Sequence, residues 1–262
     1  MSLWIKICAN TSLEDALLAA ESGADAAGFV FAPSPRRVTP QQVAAIVPHL
    51  PAALEKIGVF VDSPFDPIAA TVETAGLTGV QLHFDAPLNL STQLRARFGP
   101  SLRILRVVHF DAEKAAGLPG PDSSHESLAA SASDLVSGHN FSRAGNAKRN
   151  EGALAPEGIF SDPNTDAILV DSLSTKAPGG TGKSFDWSLA ADTLFQKVKQ
   201  RKLVAAGGLT PDNVAQAIAI LRPWGADVVS GVESVPGRKD AAKVRAFVAN
   251  ARAAHGVTSR PH

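Results

Sequence analysis

Short apolar runs rich in Val, Ile and Ala recur along the chain. Each ends in small or polar residues and leads into a stretch of helical periodicity. The runs cover 4–8, 26–31, 56–61, 79–82, 102–108, 167–170, 203–206 and 227–230. Unbroken apolar runs of this length predict parallel strands buried on both faces. Between them lie helix openings: Thr11-Ser12-Leu13, Thr39-Pro40-Gln41, Ser63-Pro64-Phe65, Asp186-Trp187-Ser188 and Thr210-Pro211-Asp212. Each puts a capping side chain or an early proline ahead of apolar periodicity. Lys239-Asp240-Ala241 opens a last helix whose apolar stripe includes Val244, Phe247, Val248 and Ala251.

Eight strands alternating with helices in about 250 residues is the arithmetic of a single (β/α)8 barrel. The rival is a doubly wound open sheet, which would carry its glycine-rich fingerprint after the first strand. Here the first strand ends in Cys8-Ala9-Asn10 and the glycines gather late, so the pattern favours the barrel. The barrel is expected over 1–254, with a tail at 255–262. The rhythm breaks between the fifth and sixth strands, where an enlarged connection is expected over about 110–163. Its centre, 117–151, is rich in Ser, Gly, Ala and Asn, with seven serines. A helix is expected around 125–136, which would put 110–124 on the catalytic face and 138–163 on the opposite one. By composition alone this stretch reads as a solvated insertion.

Charge and composition narrow the partners. The 262 residues carry 25 basic and 25 acidic side chains, a formal net charge of zero. This leaves no electrostatic reason to expect nucleic acid or an anionic membrane as partner. The single cysteine, Cys8, excludes an intrachain disulfide framework and any multi-cysteine metal site. No apolar run approaches the roughly 20 residues of a membrane span, and the first residues lack a signal-peptide core. A cytoplasmic protein, monomer or homodimer, acting on a small molecule is the expectation.

In a barrel the chemistry sits at the C-terminal ends of the strands. Those ends carry Cys8, Arg36, Asp62, His83, Asp171, Gly207-Gly208 and Ser230-Gly231 with Glu233. Asp171 ends an apolar strand and precedes the loop Pro178-Gly179-Gly180-Thr181-Gly182-Lys183, whose spacing is not that of a nucleotide P-loop. A carboxylate so placed must be paired, solvated or neutral, and a raised pKa would make it a general acid. Cys8 reads either as a base or nucleophile with a lowered pKa, or as a small inert hydrophobe. Arg36 suits a substrate carboxylate, although it or Arg37 reads equally well as a solvent-facing charge. His83 reads as a ligand, a base or a core histidine. Gly207, Gly208, Ser230 and Gly231 follow strands seven and eight, where many barrels hold phosphate on backbone amides. They also fit as tight-turn residues. No His, Asp or Glu group has metal-ligand spacing.

Taken in order, the segments resemble the phosphoribosylanthranilate isomerase family. The matching pieces are Lys6-Ile7-Cys8, Gly23-Ala24-Asp25-Ala26-Ala27-Gly28-Phe29-Val30-Phe31, Ser34-Pro35-Arg36, Gly58-Val59-Phe60-Val61, Val80-Gln81-Leu82-His83, Leu169-Val170-Asp171 and Gly179-Gly180-Thr181-Gly182-Lys183-Ser184-Phe185-Asp186-Trp187. Ala206-Gly207-Gly208-Leu209, Pro211-Asp212-Asn213-Val214 and Ser230-Gly231-Val232-Glu233 complete the set. The resemblance implies an aldose–ketose isomerase without cofactor or metal. In it Cys8 is the general base, Asp171 the general acid and Arg36 the contact to the anthranilate carboxylate. Gly207, Gly208, Ser230 and Gly231 hold the ribose phosphate, and Asp227 lies near the site. The implied reaction is an Amadori rearrangement in tryptophan biosynthesis. Two positions depart from the family pattern: Ala9-Asn10 and Phe84 stand where glycine is usual, and Ala9 is expected to shift the first loop slightly. A related sugar-phosphate isomerase of histidine biosynthesis and a non-catalytic phospholigand-binding barrel are the rival readings.

Overall fold

The computed structural model describes residues 2–83, 86–110, 136–137, 158–172, 187–195, 198 and 200–258. Eight strands carry the fold: β1 (Trp4–Ile7), β2 (Ala26–Val30), β3 (Glu55–Phe60), β4 (Gly79–Leu82), β5 (Arg103–Phe110), β6 (Ala167–Ser172), β7 (Leu203–Ala206) and β8 (Gly225–Val228). Each pairs in parallel with the next, and β8 pairs with β1, closing the barrel expected from the sequence. The described helices are α1 (Leu13–Glu21), α2 (Pro40–Ile46), α3 (Phe65–Ala75), α4 (Asn89–Phe98), α5 (Trp187–Ala190), α6 (Val214–Leu221) and α7 (Ala241–Thr258).

The helix starts follow the capping chemistry in the sequence. Ser12 accepts a bond from the Asp15 amide ahead of α1. Thr39 and Gln42 form a reciprocal capping box with Pro40 at the first turn of α2. Asp240 accepts from the amides of Ala242 and Lys243 to start α7. Such caps are each worth about 1 kcal/mol.

Strand alternation sorts side chains into two populations. Pointing into the barrel are Trp4, Ala26, Ile57, Leu105, Val107, Ala167, Leu169, Val204 and Ala206, one buried cluster that fills the pore. The alternate positions, among them Ile5, Ile7, Val108, Ile168, Val170 and Val228, pack outward with α6 and α7 residues such as Ile218, Leu221, Phe247 and Val248. The pore is therefore a packed core, and an inward polar residue farther along a strand rises from its floor into the C-terminal mouth.

Several boundaries differ from expectation. The eighth strand is Gly225–Val228 and not 227–230, because Ser230–Val232 winds into a single 3-10 turn. Asp227 is thus an inward mid-strand residue. The fifth strand runs on to Phe110. Its extra length, past the pairing of Leu82 with Arg106, exposes an edge that Val136–Ser137 fills in antiparallel fashion. Val136, expected at the end of a helix, is therefore in a strand. The rest of that expected helix, most of the insertion and the loop 173–186 lie outside the described residues. The last helix continues to Thr258, into the stretch expected as tail.

Helix ends expose one backbone misfit. Both α3 and α6 end on a left-handed residue, Gly76 at φ 63° and Arg222 at φ 47°. Glycine takes that conformation freely, whereas a side chain pays about 1 kcal/mol. Arg222 is exposed, so Arg222→Gly is expected to raise stability by about 1 kcal/mol. The midpoint of urea unfolding measures this, with an unchanged slope.

Candidate active site

A cavity of about 690 Å³ opens at the C-terminal mouth of the barrel. Its walls bring together all eight residues that the family resemblance placed at the site: Cys8, Arg36, Asp171, Gly207, Gly208, Asp227, Ser230 and Gly231. Gln81, His83 and Asp62 share the lining. Alternation explains the convergence. Lys6 and Cys8 continue the inward face begun by Trp4, Asp171 continues Ala167 and Leu169, and Asp227 and Gln81 stand one inward step above Gly225 and Gly79.

The floor of the site is an ion pair that sequence reading did not single out. Lys6 is fully buried, and its Nζ donates to Asp227 Oδ1 and to Gln81 Oε1, each at 2.9 Å. Burial disfavours the ammonium. The Asp227 carboxylate and the Cys8 thiolate outweigh that cost and raise the Lys6 pKa. Burial pushes the Cys8 thiol up; Lys6 works against this, and Asp227 adds to it. Room for the sulfur comes from Gly28 on the next strand, where a Cβ would lie 2.6 Å from Cys8 Sγ and 3.0 Å from Lys6 Cε. The signal for Lys6 was its position two residues before Cys8, on the same strand face.

Asp171 stands on β6, three strands around the ring from Cys8. Part of its surface opens to the cavity, yet the surrounding protein desolvates its carboxyl and, with the charge of Asp227, pushes its pKa to about 7. Around neutrality it therefore holds a proton much of the time. His83 goes the other way: burial, then His109 and Lys6, lower its pKa to about 4, so its imidazole is neutral. The His83 and His109 rings lie 6.1 Å apart.

The rim separates the two arginines. Arg37 is exposed, whereas Arg36 lines the cavity, its amide bonded to Ser34 Oγ. The Arg36 side chain is paired with Glu233, Nε to Oε1 at 2.8 Å and Nη2 to Oε2 at 2.6 Å. Glu233, noted in the sequence only as a strand-end acid, is buried and also accepts from the Gly237 amide.

Opposite, the turns after β7 and β8 meet. A Cβ on Gly231 would fall 1.9 Å from the Leu209 carbonyl oxygen, so the two loops touch there without a side chain between them. Gly207 and Gly208 both take positive φ, 79° and 64°. None of the backbone N–H groups of Gly207, Gly208, Ser230 and Gly231 donates to another described residue. Backbone donors gathered at a cavity wall, without partners among the described residues, are the kind of group that suits an anion.

The departure at Ala9 takes physical form here. Ala9 adopts φ 62°, the left-handed conformation in which glycine is unstrained. Asn10 secures the turn, its Nδ2 donating to the carbonyls of Ile7 and Gly28 and its amide to Gly28. Among the described residues no group of three or more His, Cys, Asp or Glu side chains could hold a metal ion. Among them, too, no helix is long and apolar enough to cross a membrane.

Comparison with known proteins gives a consistent result. The family model for N-(5'-phosphoribosyl)anthranilate isomerase matches residues 5–117 and 152–250, leaving out nearly the whole Ser-rich stretch expected as an insertion. The chain is 36% identical over 257 residues to an N-(5'-phosphoribosyl)anthranilate isomerase of Pelobacter propionicus, covering 98% of this chain and 99% of that one. The crystal structure of phosphoribosyl anthranilate isomerase from Thermotoga maritima superposes with a TM-score of 0.71 at 32% identity, over 96% of this chain and 99% of that one. A further structure of such an isomerase, in complex with reduced 1-(o-carboxyphenylamino)-1-deoxyribulose 5-phosphate, gives 0.69 at 30% identity over the same shares.

The raised Asp171 pKa carries a stability cost of definite sign. Between pH 4 and about 7 the unfolded chain has lost this proton and the native state retains it, so rising pH weakens the native state; above about 7 the effect levels off. Asp171→Asn has no such proton. Its unfolding free energy is expected to match wild type near pH 4 and to exceed it progressively up to pH 7, by an amount of order 4 kcal/mol, with the melting temperature rising in step. A gap independent of pH would contradict a raised pKa.

Proposed function

The chain belongs to the N-(5'-phosphoribosyl)anthranilate isomerase family, and from that premise we propose that it converts N-(5-phospho-β-D-ribosyl)anthranilate to 1-(2-carboxyphenylamino)-1-deoxy-D-ribulose 5-phosphate, the Amadori step of L-tryptophan biosynthesis. One observation carries the reading. A single cavity holds a thiol just past β1, a carboxyl on β6 that titrates at about 7, and a row of backbone N–H groups without a partner among the described residues.

The rearrangement needs an acid at the ring oxygen, a base at C2′ and an anchor for the phosphate. Protonated Asp171 gives its proton to the furanose oxygen as the C1′–O bond breaks, and the amino nitrogen supplies the electron pair that forms the Schiff base. Cys8 then takes the C2′ proton. The C–H electrons form the C1′=C2′ bond and return the positive nitrogen to an amine. The enolamine gains a proton at C1′ and loses that of the C2′ hydroxyl, leaving the ketone. No electrons enter or leave, since C1′ is reduced as C2′ is oxidised. The amides of Gly207, Gly208, Ser230 and Gly231 hold the phosphate at one end, and Arg36 takes the anthranilate carboxylate at the other.

The carboxyl tuned to about 7 is suited to its task, since a general acid works best with a pKa near the operating pH. The thiol needs help, because burial favours its neutral form. The Lys6 ammonium is the main nearby charge that stabilises the thiolate, and Lys239 adds to it.

Cys8→Ala and Asp171→Asn are each expected to lower kcat by about 10²–10⁴-fold while substrate binding is kept. The fluorescence decay of freshly prepared substrate, with chelator present, follows turnover. Wild-type-like decay in either variant would remove that residue from the mechanism, and no decay with the wild-type protein would overturn the activity itself.

A further inference from the structure

An arginine that is to take a substrate carboxylate is already bonded to a carboxylate here. The guanidinium has five N–H donors on two usable edges. Glu233 occupies the side edge, Nε and Nη2. The end edge, formed by Nη1 and the second Nη2 hydrogen, has no partner among the described residues. Arg36 is partly exposed and lines the cavity.

Charge would seem to forbid a second carboxylate, because Glu233 already cancels Arg36. Lys239 changes the sum. Its side chain is fully buried, and its Nζ lies 3.5 Å from Glu233 Oε1 and 3.4 Å from the Val229 carbonyl oxygen, both acceptors. Arg36, Glu233 and Lys239 together carry +1, and an incoming carboxylate brings the group to zero. The cluster is held firmly. Glu233 accepts from the Gly237 amide, and the Lys239 amide donates to Asp15 at the start of α1.

We propose that Glu233, with Lys239 as its counter-charge, is the positioning residue for carboxylate recognition: it fixes the Arg36 guanidinium by its side edge so that the end edge receives the aryl carboxylate of the substrate. The proposal rests on the reading of Arg36 given above and extends it to two residues that would not touch substrate. An arginine free to rotate would lose conformational entropy on binding, and a preorganised one loses less. A site built around a buried polar group also rejects a ligand that leaves that group unpaired.

The test compares two substrates, the anthranilate riboside phosphate and the same compound made from aniline, which lacks the carboxylate. Wild type is expected to prefer the former. In Glu233→Gln the ratio of the two kcat/KM values is expected to fall roughly tenfold or more, with the change in KM for the carboxylated substrate. A merely structural role would lower both values alike and leave the ratio as it was, which would overturn the proposal. If Glu233→Gln does not fold, Lys239→Gln serves instead, since it leaves the Arg36–Glu233 fork and removes the balancing charge; the same fall is expected. Arg36→Ala separates the two levels. Should it keep the preference, the reading of Arg36 fails. Should it lose the preference while the Glu233 or Lys239 variant keeps it, only the positioning proposal fails.

Discussion

The Lys6–Asp227 ion pair at the base of the cavity is the constraint to which the rest of the site is tied. It joins β1 to β8, and through Gln81 it reaches β4 across the pore. Neither charge could stay buried alone, since removing one partner leaves an uncompensated ion in a desolvated place. Together they set the field for the two groups above. Asp227 raises the pKa of Asp171 and of Cys8, and Lys6, with a smaller contribution from Lys239, opposes the rise at Cys8. Desolvation and the Asp227 charge hold Asp171 protonated up to about pH 7, and Cys8 has the Lys6 and Lys239 cations at hand.

Two electrostatic devices at the rim complement this floor. On one side stand backbone N–H groups, which carry partial charge and need no cation. A chain of zero net charge would therefore need no added basic residue there to hold the phosphate of the proposed substrate. On the other side the fixed Arg36 presents a full charge, partly offset by Glu233. The two ends suit the two anionic groups of the proposed substrate, and Cys8 and Asp171 line the same cavity.

Small residues make these approaches possible. Gly28 gives up its side chain so that the Cys8 sulfur and the Lys6 stem can sit against β2, and Gly231 lets the last two loops meet. Gly208 has open space where a Cβ would stand, so its positive φ is what calls for glycine there. Ala9 is the exception. It holds the same left-handed conformation with a methyl group, in a turn fastened by the buried Asn10 amide.

Much of this was legible in the sequence, because a barrel strand converts a period of two into a direction. Apolar runs with late glycines marked the architecture, and Cys8, Asp171 and the paired glycine turns stood at strand ends where chemistry belongs. Asp227 came from family resemblance, and the strand set two residues earlier explains its inward position. What pairing and packing decided lay beyond that periodicity. Lys6 meets Asp227 across 221 residues of chain, Arg36 meets Glu233 across 197, and His83 lies beside His109 only because β4 and β5 are neighbours. A sequence records which side chains point inward. Which of them share a charge, and so which protonation states they hold, depends on barrel closure and on the exclusion of water, and those are properties of the tertiary structure.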